Sequence, residues 1–195
     1  MDISDIKELY FIAPIDSIPS ILQHGILSHN RAQMILHRDI SMPEVQKRRA
    51  NKRVLGARPL HDYANLYFDA HNPMLSKRRD QNEFLCILGI SKSVLFMANV
   101  VLTDRNAASD YARFFSSPLG LQYLDVEIIF AKYWNHSDQF QYMEHKSKKC
   151  SEVLVPDFIS DKVIEKAYVW NDRAKNKLIQ AGFKLAIEIK PELFF

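Results

Sequence analysis

Apolar positions in this chain come in short blocks whose period changes from block to block, a pattern that predicts helices and strands mixed along one chain. Ile3 to Ala13 reads as a first strand, and Asp16 followed by Ile18, Ile21 and Leu22 reads as a capped helix that stops at Gly25. From Ile26 to His37 no period is clean. Met42 to Lys52 carries Pro43 in a first helical turn and a basic face, which predicts a surface helix. Tyr63 to Phe68, bounded by Pro59 and by Asn72-Pro73, is a strand running into a turn. Phe84 to Ile90 and Val94 to Leu102 are continuous apolar runs of strand length, the pattern of strands covered on both faces, and form the expected sheet centre.

Further on, Asn106 to Phe115 is expected to be helical, and Pro118 and Gly120 break the chain before an apolar stretch from Val126 to Tyr133. Trp134 to Lys149 is polar, basic and aromatic and reads as a loop feeding a short strand, Glu152 to Pro156. Val163 to Val169 as strand, Asp172 to Ala181 as helix with Gly182 just past its end, and Leu185 to Ile189 as strand complete the order. The fold class is mixed α/β (α+β), as a single domain over residues 1–195.

Composition agrees with a folded chain: of 195 residues, 47% are hydrophobic and only 5 are Gly, enough to bury one substantial core and too compact a composition for disorder. Cys86 and Cys150 form no CxxC pair and no cluster at zinc spacing, so the expectation is reduced thiols, no metal and a cytoplasmic protein. Asp2, Asp5, Lys7 and Glu8 rule out a secretory leader, and charges interrupt every apolar run before the roughly 20 residues of a bilayer helix. Formal net charge is +3, yet between Arg31 and Arg79 eleven Lys or Arg face four acids, an excess of seven that attracts phosphates.

Candidate chemistry follows from position. Glu152 interrupts an apolar strand directly after a basic segment, which predicts a partly desolvated carboxylate able to bind a sugar hydroxyl, stabilise an oxocarbenium ion or move a proton. The competing reading is a surface acid paired with Lys148 or Lys149, and position alone favours neither. In the run Lys47, Arg48, Arg49, Lys52 and Arg53, with Arg49 and Arg53 read as one helix face, a guanidinium could clamp a pyrophosphate. For most of its members a solvated face is the favoured reading. Tyr142 and Lys146, one helical turn apart, suit a nucleobase and its phosphate, with stacking worth about 1 to 3 kcal/mol. Alternatively Tyr142 only covers the core. His61, His71 and His145 are possible acid/base groups among 7 histidines. No GxGxxG, GxxxxGK[ST] or GxSxG occurs, which removes Rossmann dehydrogenases, P-loop NTPases and α/β-hydrolases.

Several strings together resemble the DarT family of NAD-dependent DNA ADP-ribosyltransferase toxins. They are Ile15 to Leu22 with His24 to Ser28, Leu60-His61-Asp62-Tyr63 through Asn72-Pro73-Met74-Leu75, Thr103 to Ala107, and Ser151 to Pro156. The resemblance implies an ADP-ribosyltransferase-like fold, a central mixed or antiparallel sheet flanked by helices, that moves ADP-ribose from NAD to a base of single-stranded DNA as the toxin of a toxin and antitoxin pair. It implies NAD as co-substrate without metal, and single-stranded DNA and a modification-reversing antitoxin as partners, with no membrane. By the same resemblance Glu152 is catalytic, and Arg49 contacts NAD and assists proton transfer. Phe11, Ile12, Ala13, Ser20 and Ser28 bind NAD, Met74 sits between NAD and DNA, and Tyr142 and Lys146 hold the target strand. Where the family usually carries His-x-Thr on the first strand this chain has Phe11-Ile12-Ala13, so a main-chain N–H and C=O are left to hold the nicotinamide amide. Two other readings stay open, a weakened relative that binds nucleotide or nucleic acid without efficient transfer, and an RNA- or protein-directed transferase. Glu152→Ala is expected to keep the fold.

Overall fold

The computed structural model describes residues 1–35, 43–55 and 58–195. Its main sheet has eight strands: β1 (Leu9–Pro14), β2 (Tyr63–Tyr67), β3 (Leu85–Ile90), β4 (Val101–Thr103), β5 (Phe114–Ser116), β6 (Glu152–Pro156), β7 (Ile164–Val169) and β8 (Ala186–Ile189). They lie in the order β8-β7-β3-β1-β2-β6-β4-β5. Only β7 and β8 run parallel, and the other neighbours are antiparallel. All six residues of β3 are buried, as its unbroken apolar run predicts for a strand covered on both faces.

One junction in this sheet is thin. β1 pairs with β3 over six residues, and β2 pairs with β6 over five, but β1 and β2 share a single partner pair, Tyr10 with Tyr67. Beyond that pair the two half-sheets part. Main-chain polar groups of Phe11 to Pro14 on the β2 side therefore lack strand partners, because successive peptides in a strand alternate sides.

Helix α1 (Ile18–His24) begins beside Pro19 and ends at Gly25, whose φ is 78°. A Cβ at Gly25 would lie 2.3 Å from the carbonyl oxygen of Ile159, so only glycine lets the chain turn into the small ribbon of Ile26–Leu27 with Phe158–Ile159. Helix α2 (Pro43–Ala50) is a surface helix as expected, with one buried residue, Arg49. Arg53 is outside it, in an exposed two-residue strand, and so does not share a helix face with Arg49. Leu36, His37, Arg38 and Met42 lie outside the described residues.

Four expectations are corrected. Val94 to Leu102 is not one strand: Lys92–Phe96 is a 3-10 helix and only Val101–Thr103 is extended. Asn99, at φ 60°, turns the chain between the two. Asn106 to Phe115 is not helical, because its polar side chains bind the local main chain: Asn106 accepts from Ala108 N–H, Ser109 from Tyr111 N–H, and Asp104 from Arg113 N–H. Trp134 to Lys149 is not all loop, since it contains helix α3 (Gln139–Lys148), capped by Asp138 through the Gln141 N–H. No residue of α3 is buried, so its sequence has no apolar stripe to reveal it. Ile3 to Ala13 is strand only from Leu9, after a 3-10 turn closed by reciprocal bonds between Asp2 and Asp5. The final helix, α4 (Asp172–Gln180), is capped by Asn171 and ends before Gly182 as predicted. Cys86 and Cys150 are buried and unpaired.

Candidate active site

Glu152 opens β6 directly opposite Tyr67 of β2, close to the thin junction of the sheet, and is 1% exposed. Such a buried carboxylate must have partners. Nη1 of Arg49 donates to both of its oxygens, at 3.1 Å and 2.9 Å, and the Ala107 N–H donates to Oε1 at 2.9 Å. Thr103 Oγ1 fixes the main chain below, accepting from the Glu152 N–H at 2.9 Å while donating to the Arg105 carbonyl at 2.7 Å. The lysines that competed for Glu152 are engaged elsewhere: Lys148 with Glu144, and Lys149 with Asp69 and the carbonyl of Ile129. The Glu152 and Arg49 pair thus joins residues 103 apart in sequence.

Two other ionisable groups lie within reach of this carboxylate. Burial, reinforced by the Glu152 charge, raises the Tyr67 phenol far above its ordinary range. Burial first, and then the same charge, pushes the Cys150 thiol up to about 12. Both stay protonated near neutral pH and cannot compete as proton acceptors.

The pair forms part of the wall of a cleft of about 1500 Å³. Phe11, Ile12, Ala13, Ser20, Met74 and Lys146 line it together with Arg49 and Glu152. Seven Lys or Arg (48, 49, 77, 78, 105, 113 and 146) line it against four acids (Asp16, Asp110, Glu144 and Glu152), so part of the sequence's basic excess is concentrated here. Other members of the basic run are spent on structure: Arg31 and Arg58 both bind Asp157, and Lys52 binds Asp110.

Two expected site residues stand apart from the lining. Ser28 is 1% exposed and caps the short helix His29–Ala32, its hydroxyl accepting from the Arg31 N–H. Tyr142 sits on α3 beside the cleft, with the Lys146 ammonium 5.1 Å from its ring centroid and 3.3 Å from its hydroxyl. Met74, on the helix Pro73–Ser76, is held in place by Asn72, whose side chain accepts from the Met74 and Leu75 N–H groups.

Sequence reasoning missed Thr103 and the Ala107 N–H as supports of Glu152. The string Thr103 to Ala107 signalled the segment, but a main-chain donor leaves no trace in residue type.

Burial holds His61, His71 and His145 below the ordinary imidazole value of 6.5. Below about pH 6.5 the unfolded chain therefore takes up protons that the folded chain refuses, and stability falls as pH drops. The urea midpoint is expected to be lower at about pH 5.5 than at about pH 7.5. An equal or higher midpoint at the acid pH would contradict this assignment.

A mixed sheet parted near its middle, with a basic cleft at the parting and an arginine-held carboxylate in its wall, defines the ADP-ribosyltransferase class of fold. A family described as "ssDNA thymidine ADP-ribosyltransferase, DarT" matches residues 10–195, and the chain belongs to it. A DNA ADP-ribosyl transferase of Thermus sp. (strain 2.9) is 30% identical over 185 residues, covering 88% of this chain and 85% of that protein. A DNA ADP-ribosyl transferase and DNA ADP-ribosyl glycohydrolase fusion protein of Thermosipho africanus is 29% identical over 97% of this chain, which spans only 49% of the fusion's length. Among solved structures, Thermus sp. 2.9 DarT in complex with ADP-ribosylated single-stranded DNA superposes with a TM-score of 0.86 at 26% identity, covering 98% of this chain and 97% of that one. The Thermus sp. 2.9 protein in complex with NAD+ gives a TM-score of 0.80 at 26% identity, covering 96% of each chain.

Proposed function

We propose that this chain, acting as a single domain over residues 1–195, transfers the ADP-ribose unit of NAD+ to a base of single-stranded DNA and releases nicotinamide. The observation that carries the reading is Glu152, a buried carboxylate held by Arg49 and the Ala107 N–H at a basic cleft. A volume of about 1500 Å³ exceeds the roughly 300 to 1,000 Å³ of pockets for one drug-sized ligand and suits a dinucleotide with part of a DNA strand. The family description supports the base of a thymidine as the one that is modified.

The bond from the ribose C1 to the nicotinamide nitrogen breaks with its electron pair going to that nitrogen, so neutral nicotinamide leaves and positive charge builds on the ribose. Glu152 stabilises that charge in a water-poor site, where a fixed carboxylate acts most strongly. A base nitrogen then supplies the electron pair of the new bond and sheds its proton, for which Glu152 is the acceptor in place. Arg49 stays protonated, because a guanidinium does not release its proton in proteins. It assists by aiming the carboxylate and by offsetting negative charge that develops on the base. Main-chain groups of Phe11 to Ala13, unpaired on the β2 side, take over from the absent His-x-Thr in holding the nicotinamide amide, with Ser20 farther along the cleft. Ser28 acts indirectly, through the helix it caps. Met74, Tyr142 and Lys146 guide the target strand past the reacting carbon.

The glycohydrolase fused to the Thermosipho relative supports a partner enzyme that removes the modification, and hence a toxin and antitoxin pair working on DNA in the cytoplasm. Among the described residues no helix is long and apolar enough to cross a membrane, and no cluster of ligands could hold a metal. The reading is tested by incubating the protein and NAD+ with single-stranded oligonucleotides that differ in one base, and weighing the products. An ADP-ribose adduct is expected where thymidine is present. Tight oligonucleotide binding with neither NAD+ affinity nor adduct would favour the weakened-binder alternative and overturn the enzyme.

A further inference from the structure

Folded proteins leave very few buried polar atoms without a hydrogen-bond partner, so orphaned atoms gathered in one place point to a missing ligand. Among the described residues six buried side-chain atoms lack such a partner, and four belong to residues lining the cleft: Ser17 Oγ, Gln46 Oε1, His61 Nε2 and Arg105 Nε. Gln46 lies one helical turn before Arg49 on α2, and is therefore on the same helix face. His61, on the 3-10 turn Leu60–Asp62, stacks on His29 with ring centroids 4.2 Å apart. Burial holds its imidazole below the ordinary value, so the ring is neutral near neutral pH. In a neutral ring one nitrogen keeps a bare lone pair, and the partnerless Nε2 is free to carry it.

We infer that His61 Nε2 and Gln46 Oε1 form an acceptor pair for the hydroxyl groups of the NAD ribose whose C1 faces Glu152. The inference rests on the NAD-dependent reading above. Acceptors exclude the pyrophosphate, which has no donors to offer. DNA lacks the paired ribose hydroxyls that two acceptors would read, so the pair distinguishes the dinucleotide from the nucleic acid within one cleft. Its place beside Arg49 puts it at the ribose that reacts rather than at the far end of the dinucleotide.

The test measures NAD+ affinity by calorimetry, together with KM and kcat, for the wild type and for Gln46→Met, His61→Phe and His61→Gln. Loss of one acceptor should raise the Kd and KM for NAD+ about tenfold, leaving the KM for oligonucleotide unchanged. His61→Gln, whose side-chain oxygen can replace Nε2 as acceptor, should recover most of the affinity that His61→Phe loses. An NAD analogue lacking those ribose hydroxyls should bind wild type and variants alike. Failure of the wild type to bind NAD+ would remove the functional reading itself. Normal wild-type binding, with folded variants that bind NAD+ equally well or lose only oligonucleotide affinity, would overturn the acceptor pair alone.

Discussion

Replacing Glu152 with glutamine is expected to slow ADP-ribose transfer to a single-stranded oligonucleotide by roughly 10³-fold, the scale for losing both a fixed transition-state charge and a general base. The amide keeps the shape of the side chain, and its oxygen still accepts from Arg49, so the fold survives. The charge that faces the ribosyl cation is gone. Quenched time courses at saturating NAD+ and oligonucleotide measure the effect, and a loss smaller than about tenfold would reduce Glu152 to a structural role. Alanine is the poorer probe. From sequence alone Glu152→Ala promised to preserve the fold, but Glu152 is fully buried and bonded to a buried guanidinium, so alanine, unlike glutamine, leaves Arg49 and the Ala107 N–H without an acceptor as well as removing the charge.

Arg49 gives the second large effect, on stability. Its side chain is 9% exposed and that of Glu152 1%, so Arg49→Met leaves a buried, uncompensated carboxylate, which costs about 3 to 5 kcal/mol. For a chain of this size that lowers the melting temperature by roughly 6 to 20 °C. Replacing both partners with apolar residues, as in Arg49→Met with Glu152→Leu, removes the orphan charge along with the pair. The double variant should therefore melt well above the Arg49→Met single variant while remaining inactive. Thermal melts of the four proteins complete the cycle. Strict additivity, with the double variant losing the sum of both single losses, would show that the two groups do not depend on each other.

What the sequence revealed follows from how each element is held. Leu85–Ile90 and Glu152–Pro156 are read from their apolar runs because burial itself makes those strands. The helices Ile18–His24 and Asp172–Gln180 show through their apolar spacing and stop signals, Gly25 and Gly182. Elements held by polar bonds were hidden. α3 rests on its Asp138 cap without burying a residue, and the segment from Asn106 to Phe115 is shaped by side-chain bonds to its own main chain. The site divides in the same way. Glu152 stands out as an acid in an apolar strand, whereas its partner lies 103 positions away on a helix whose only buried residue is that arginine. Local reasoning could offer only the adjacent lysines. Likewise the free edge of β1 beyond Tyr10 is a property of strand pairing that no residue type records.

The most direct measurement is the mass of a thymidine-containing single strand after incubation with isotopically labelled NAD+ and either the wild type or Glu152→Gln. Labelled ADP-ribose on the strand from the wild type, and an unmodified strand from the variant, is the predicted result. Equal adduct from both proteins, or a wild type that binds NAD+ and DNA yet leaves the strand unmodified, would contradict it.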